Sequence, residues 1–231
     1  MPLIKIISTG GTIANTGHGL IGIDEVLKDI PQTRAMADFE IIEATRVRSG
    51  ALRLAQWYDI ARAASAAAED PRVDGIIVTH GTFTTEETAY FLHLVVRTEK
   101  PVVVVASQRK HDEIGNDGDR NMLDAIRLAL SPDARSKGVL VTLHEEIHSA
   151  REVVKTNQRP GGFHSLGAAS SDISKMTKSA FTTRRPAAIH FVPSSICARH
   201  ASCRASTSSR RMSAATTPRR RLAWPPEPKD S

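Results

Sequence analysis

The chain has 231 residues with 31 Lys+Arg against 25 Asp+Glu, a formal net charge of +6 and a pI of about 9.6. Residues 161–231 carry 12 of the basic and 3 of the acidic residues, so residues 1–160 are net acidic at −3. The composition therefore gives no reason to expect a nucleic-acid-binding body. No run of about 18 apolar residues is present, which excludes a membrane-spanning helix.

The expected compartment is the cytoplasm. The first residues, MPLIKIISTGG, lack the basic and long apolar regions of a secretory signal. Both cysteines, Cys197 and Cys203, lie in the basic C-terminal segment, so the body of the chain needs no disulfide framework.

Apolar strand patterns alternate with helical patterns along the first 160 residues. Strands are predicted, in chain order, at residues 3–8, 39–46, 75–78, 101–106 and 138–143. Helices are predicted at residues 23–30, ended by Pro31, and at 54–69, 85–96 and 121–130. Continuous apolar strands separated by helices indicate a parallel sheet that is covered on both faces. The predicted fold is α/β, an open, doubly wound, mainly parallel sheet with flanking helices.

Two polar loops follow predicted strands, with the sequences STGGT at residues 8–12 and THGT at residues 79–82. Open parallel sheets bind their ligands beyond the carboxyl ends of the strands. Each loop places a threonine hydroxyl on a glycine-flanked turn, with amides of a following helix nearby, which suits a nucleophile with donors for an oxyanion. The same pattern also fits an ordinary strand-to-helix turn in which Ser or Thr caps the helix. Spacing alone leaves both interpretations open.

From about residue 161 the periodicity fades, and Ser, Arg, Ala and Pro dominate. Such a segment buries too little apolar surface to offset the entropy of ordering, so we expect a disordered tail. A nucleic-acid-binding arm is the alternative, although aromatic residues do not alternate with its arginines. His200 lies between Cys197 and Cys203, but no second pair of ligands follows, so no metal site is expected.

Four segments, in order, resemble the bacterial-type L-asparaginase (asparaginase/glutaminase) family. Residues 6–14, IISTGGTIA, are similar to its first signature, and residues 75–92, GIIVTHGTFTTEETAYFL, to its second. The strand KPVVVVA at 100–106 and the stretch SAREVVKTN at 149–157 follow in the same order and spacing. Four ordered matches are far more specific than one glycine-rich loop. The resemblance covers about residues 3–157 and implies the family's N-terminal domain.

The resemblance implies hydrolysis of L-asparagine to L-aspartate and ammonia through a threonine nucleophile, without a cofactor or metal. Thr12 is expected to attack the side-chain amide and form an acyl-enzyme that water cleaves. Thr82 and Lys155 are expected to form a second catalytic cluster, in which a desolvated lysine acts as a base. Ser49, eight residues before Trp57, matches the contact to the substrate carboxylate, and Thr82 is expected to bind substrate as well.

Phe83 departs from the family pattern, which has an aspartate directly after the second threonine. That aspartate holds the substrate's ammonium group, whereas a phenylalanine offers only a weaker cation–π contact. We therefore expect Phe83, as a substrate-binding residue, either to weaken the affinity for a free amino acid or to change the substrate preference.

Two further departures concern the lid and the C-terminal half. The family has a lid tyrosine after the first signature, whereas residues 13–24 contain none. The family also has a C-terminal domain that completes the neighbouring subunit's site, and nothing after Asn157 resembles it. The expected organisation is an α/β domain at 1–157 and a low-complexity basic tail at 158–231. The resemblance implies a homotetramer, but the shortened chain is expected to lack some assembly surfaces.

A frameshift is one hypothesis for the tail. Residues 167–187, GAASSDISKMTKSAFTTRRPA, read two bases later through permissible codons, can give GGLLGYLKDDKVRFYYAPA, which resembles the family's interdomain connection. The hypothesis places the shift near residues 157–167. Early stops and no family-like text in the alternative frame of the gene would contradict it.

Three hypotheses of function follow. The first is an amidohydrolase acting on asparagine, with glutamine or another linear amide behind it. The second is a catalytically impaired α/β domain that binds small amides or a partner subunit. The third is a nucleic-acid-associated protein that uses its arginine-rich tail.

Overall fold

The computed structural model describes residues 1–166 and the backbone of residues 171–172. The described strands, in chain order, are β1 (Leu3–Ser8), β2 (Asn15–Thr16), β3 (Gly19–Leu20), β4 (Asp38–Glu43), β5 (Val73–Thr79), β6 (Val102–Val105), β7 (Val139–Leu143), β8 (Glu146–Ser149), β9 (Val153–Lys155), β10 (Phe163–Ser165) and β11 (Ser171–Asp172). The α-helices are α1 (Ile23–Lys28), α2 (Leu54–Glu69), α3 (Thr85–Val95) and α4 (Gly118–Leu130). Short 3-10 turns lie at Thr12–Ala14, Pro31–Ala35, Ser49–Ala51 and Pro132–Ala134.

One seven-stranded sheet, ordered β11-β8-β7-β6-β5-β1-β4, forms the centre of the fold. The five strands from β7 to β4 run parallel. β8 is antiparallel to β7, and β11 is antiparallel to β8. The mainly parallel sheet predicted from the sequence is therefore confirmed, and the antiparallel strands at one edge are an addition to it. Two small ribbons, β2-β3 and β9-β10, lie outside the main sheet.

Helices cover both faces of the sheet. Successive residues of a strand point to opposite sides, so strands made of apolar residues have two apolar faces to bury. The cluster on the α2–α3 face includes Ile7, Ile60, Ile76, Val78 and Leu92. The cluster on the α1–α4 face includes Ile6, Val26, Ile77, Met122 and Ile126. Since strands buried on both faces have no polar side, their sequences are continuous apolar runs.

The partner strands set the ends of several elements more than local composition does. β4 ends at Glu43, three residues before the predicted end, because its partner β1 ends opposite it at Ser8. β5 is longer than predicted, since its register along β1 runs from Val73 to Thr79. A separate difference concerns a helix: α4 begins at Gly118, three residues before the predicted start.

The chain reverses its winding direction at β1 and β5. From β1 it continues to the edge strand β4, whereas from β5 it continues through β6 and β7 on the other side. The last residues of the two strands, Ser8 and Thr79, are register partners, so the two threonine loops start side by side. A crevice at the carboxyl ends of such diverging strands is the usual ligand site of this architecture.

Among the described residues, two strands lie after residue 157, where the sequence predicts that the α/β domain ends. β10 pairs with β9, and β11 pairs with β8. Of the segment predicted as a tail, residues 167–170 and 173–231, with Cys197, His200 and Cys203, lie outside the described residues. In the part of the chain that the structure describes, no helix combines the length and apolarity needed to cross a bilayer.

The buried carboxylate of Asp117 holds the loop that follows β6. Its oxygens accept the backbone N–H groups of Gln108 and Arg109, at distances between 2.8 and 3.1 Å. Its Oδ2 also accepts a hydrogen bond of 3.1 Å from Asn121 Nδ2, which donates to Ala106 O as well. The loop is therefore anchored to the first turn of α4.

Replacing Asp117 by alanine should lower the free energy of unfolding by about 1–3 kcal/mol, because the Gln108, Arg109 and Asn121 N–H groups lose a buried acceptor. Urea denaturation measures the change. The control is Asp59→Ala on α2, where Asp59 pairs with the exposed Arg62, and there we expect a change below about 0.5 kcal/mol. Equal losses in the two variants would show that Asp117 does not anchor the loop.

Candidate active site

A cavity of about 620 Å³ opens at the carboxyl ends of β1 and β5. Its wall includes Gly11 and Thr12 from the first loop, residues 81–83 from the second, and the 3-10 turn Ser49–Ala51. Gln108 and Lys110, from the loop that Asp117 holds, line it as well. Its volume suits a small-molecule ligand.

The two threonine loops contact each other through glycine backbone. Gly11 has φ +88°, and a Cβ built on it would overlap the backbone nitrogen of Gly81. A Cβ on Gly81 would in turn meet Ser49 Oγ. Thr9 Oγ1 donates a buried hydrogen bond of 2.7 Å to Thr79 O, which ties the start of one loop to the end of the other strand. Only glycines allow the loops to approach this closely.

Thr12 is half-buried and begins the 3-10 turn Thr12–Ala14 directly after Gly11. The next two residues, Ile13 and Ala14, are fully buried in the core on the α1–α4 face. Because its neighbours are anchored there, Thr12 is held at the cavity wall. The residue before this turn is Gly11, and no side chain caps the turn. The first loop is therefore not the Ser- or Thr-capped turn that the sequence left open as an alternative.

The structure brings Thr82 and Lys155 together from positions 73 residues apart. Lys155 Nζ donates a hydrogen bond of 2.8 Å to Thr82 Oγ1 and another of 2.9 Å to Gln158 Oε1. Glu86 Oε2 accepts the backbone N–H of Lys155 at 3.0 Å, which ties β9 to the first turn of α3. Burial lowers the pKa of the Lys155 amine, and the Glu86 carboxylate partly opposes that effect. A lysine with a lowered pKa at a hydroxyl can accept its proton.

Ser49 is 6% exposed and connects the 3-10 turn to the second threonine loop. Its Oγ accepts the backbone N–H of Phe83 at 3.1 Å, and its carbonyl accepts a bond of 3.0 Å from Thr84 Oγ1. Ser49 therefore occupies the N–H of Phe83, and that N–H is not available to a ligand. Thr84, at the start of α3, makes no side-chain cap either.

Phe83 lies at the mouth of the cavity with 69% of its surface exposed. Its ring centroid is 5.9 Å from Lys155 Nζ. Of the predicted site residues, Thr12, Ser49, Thr82 and Phe83 line one cavity. Lys155 does not line it but hydrogen-bonds to Thr82 from behind.

His80 is fully buried beneath the site, and sequence reasoning assigned it no role. Desolvation lowers its pKa to about 4, so the ring is neutral at pH 7. Its Nδ1–H donates to Gly81 O at 2.8 Å, and Thr85 Oγ1 donates to the same carbonyl at 2.8 Å. The two bonds fix the orientation of the peptide that leads into Thr82. The sequence feature that could have identified His80 is its position between the end of an apolar strand and a glycine.

The described residues that line the cavity include two cations, Arg48 and Lys110, and no Asp or Glu. The salt bridges of Lys and Arg among the described residues include those of Lys5, Lys28, Arg46, Arg62, Arg72, Arg120 and Arg127. Neither lining cation takes part in them. Sequence reasoning missed Lys110, because only the folded loop after β6 brings it to the threonines.

Comparison with known proteins places these features in a family. The family model described as "Asparaginase, N-terminal" matches residues 3–185, beyond the 3–157 that the motifs cover. The glutaminase-asparaginase of Acinetobacter glutaminasificans is 37% identical over 162 residues, which are 66% of this chain and 49% of that protein. L-asparaginase 2 of Bacillus subtilis is 38% identical over 167 residues, 68% of this chain and 44% of that protein.

A solved structure has the same fold. The probable cytoplasmic L-asparaginase of Campylobacter jejuni superposes with a TM-score of 0.70 at 36% identity, covering 74% of this chain and 53% of that one. The chain spans about half the length of these relatives.

Gly11→Ala should destabilise the protein more than Gly161→Ala does. Both glycines have positive φ, +88° and +79°, but a Cβ on Gly161 would meet nothing within 4 Å, whereas one on Gly11 would overlap Gly81. We expect a loss of about 1 kcal/mol at Gly161 and at least about 2 kcal/mol more at Gly11, measured by urea denaturation. Equal losses would contradict the close contact of the loops.

Proposed function

Because this chain belongs to the asparaginase family, we propose that it is an amidohydrolase that cleaves short linear amides at this cavity. L-asparagine is the first candidate substrate, and glutamine or another linear amide follows. The observation that carries the proposal is that Thr12 and Thr82 line one cavity and that Lys155 hydrogen-bonds to Thr82. Since the chain spans about half the length of its relatives, the activity of the whole enzyme is part of the proposal.

The proposed nucleophile is Thr12. Its hydroxyl oxygen forms a bond to the amide carbon, the C–N bond breaks, and ammonia leaves with the hydroxyl proton. Water then cleaves the resulting ester, which releases the carboxylic acid and restores Thr12. The rigid glycine contact behind Thr12 supports this role, because a nucleophile that is held in place loses little entropy in the reaction.

The proposed proton acceptor is the Thr82–Lys155 pair. A neutral Lys155 amine can take the proton of the Thr82 hydroxyl, which lies 2.8 Å away, as Thr82 Oγ1 takes the proton of the Thr12 hydroxyl. The protonated amine then gives its proton to the departing ammonia. Burial favours the neutral amine. The fixed peptide at Gly81 supports the role, since it holds Thr82 on the wall.

The proposed contact for the substrate carboxylate is Ser49. Its oxygen already accepts the N–H of Phe83, so its own proton remains to be donated into the cavity.

We also propose a cytoplasmic location, as in the name of the Campylobacter jejuni relative. Three expectations remain predictions: assembly into a tetramer, disorder of the C-terminal tail, and nucleic-acid binding by that tail. The tail residues that bear on them lie outside the described chain.

An ammonia-release assay with L-asparagine tests the nucleophile. Thr12→Ala should reduce kcat/KM by at least about 1000-fold, because the attacking oxygen is lost. The control is Thr98→Ala, since Thr98 Oγ1 accepts the Lys100 N–H before β6, at the opposite end of the sheet. Equal ammonia release by wild type and Thr12→Ala would exclude Thr12, and none from either would favour the impaired domain.

The pH profile tests Lys155. If its neutral amine is the base, kcat/KM should rise with pH and level off below the ordinary lysine value of 10.5, because the folded pKa is lowered. Lys155→Arg keeps a cation but cannot lose its proton, so this limb should disappear and kcat should fall by about 100-fold. A rising limb that persists in Lys155→Arg would assign the base to another group.

A further inference from the structure

We infer that the cavity selects amides that carry a carboxylate and no ammonium group, such as succinamate, the counterpart of asparagine without its amine. The inference deepens the proposed amide hydrolysis and rests on it for the reaction. Hydrolysis of succinamate consumes one water and gives succinate and ammonia.

The charge of the cavity wall carries the inference. Arg48 and Lys110 line it, and no described lining residue is an Asp or Glu. A carboxylate gains from such cations, whereas an ammonium group is repelled by them and finds no anionic partner on the described wall.

Asparagine experiences both effects at once, the attraction of its carboxylate and the repulsion of its ammonium group. Its ammonium and carboxylate groups are attached to the same carbon, so binding the carboxylate brings the ammonium group within a few ångströms of the same cations. In succinamate, a CH₂ group stands in place of the amine-bearing carbon. The favourable contact remains, and the repulsion and the cost of desolvating an unpaired ammonium are absent.

Phe83 strengthens the selection at the rim. Its backbone N–H is held by Ser49, so the residue contributes only its ring to the rim. The ring is 69% exposed, and Lys155 Nζ already lies 5.9 Å from its centroid. The Lys155 amine already faces the ring, so the ring is poorly placed to hold a substrate ammonium group, but it packs well against a CH₂ group.

Ser49 fits the same ligand. Its hydroxyl lines the cavity and accepts the Phe83 N–H, which leaves the hydroxyl proton for an anionic oxygen. The donors of the wall include this hydroxyl and the two cations, which together match one carboxylate.

The test measures binding and turnover separately on the full chain. Calorimetry with the two products, succinate and L-aspartate, should give a Kd for succinate at least about tenfold lower. Ammonia release should give a kcat/KM for succinamate at least about tenfold above that for L-asparagine. Added salt should weaken succinate binding, because the cations are accessible to solvent.

Two variants at Phe83 isolate the charge. Phe83→Asp supplies the missing carboxylate and should shift the preference by about tenfold or more towards L-aspartate and L-asparagine. Phe83→Asn removes the ring without adding charge and should keep the preference for succinate. Since Phe83 is largely exposed, both variants should fold, which circular dichroism checks.

The outcomes are distinct. Equal or tighter binding of L-aspartate by the wild-type chain would overturn the inference, and so would failure to bind either product. The same shift in Phe83→Asn as in Phe83→Asp would also overturn it, because the ring and not the charge would then decide. A preference for succinate without ammonia release from either amide would overturn the proposed hydrolysis and support the inferred selectivity.

Discussion

The contact between the backbones of Gly11 and Gly81 is the constraint on which the site depends. It exists because β1 and β5 end at the same level, with Ser8 opposite Thr79, and because neither loop carries a side chain at the point of contact. Thr12 and Thr82 each follow one of these glycines, so the contact places both hydroxyls at one cavity. The buried Thr9–Thr79 bond holds the same junction from below.

A second layer of contacts turns this junction into a rigid wall. His80 and Thr85 both donate to Gly81 O, and Ser49 holds the N–H of Phe83. Each of these groups is buried or nearly so, which makes an unmade hydrogen bond costly and the arrangement hard to deform. The wall leaves cations and hydroxyls, but no described carboxylate, facing the cavity. The position of Phe83 therefore affects the charge of the whole site.

Much of the site could be predicted from sequence because its parts lie in short, continuous segments. Thr12 and Thr82 each sit in a glycine-containing loop after an apolar strand, and Lys155 lies in the KTN match. Lys110 and His80 were not predicted as parts of the site. Lys110 reaches the cavity only through the loop that Asp117 anchors, and the carbonyl contact of His80 has no periodic signal. The antiparallel strands β8 and β11 were also missed, since their short runs look like loop sequence.

The sequence by itself determined the α/β architecture, the order of its strands and helices along the chain, and the loops that carry the threonines. Those features are encoded by hydrophobic periodicity and by glycine, which act over neighbouring residues. The tertiary structure alone decided the 2.8 Å contact of Lys155 with Thr82, the use of the Phe83 amide by Ser49 and the cationic wall. These depend on distances between residues that are tens of positions apart, which only the register of the sheet and the packing of its loops set.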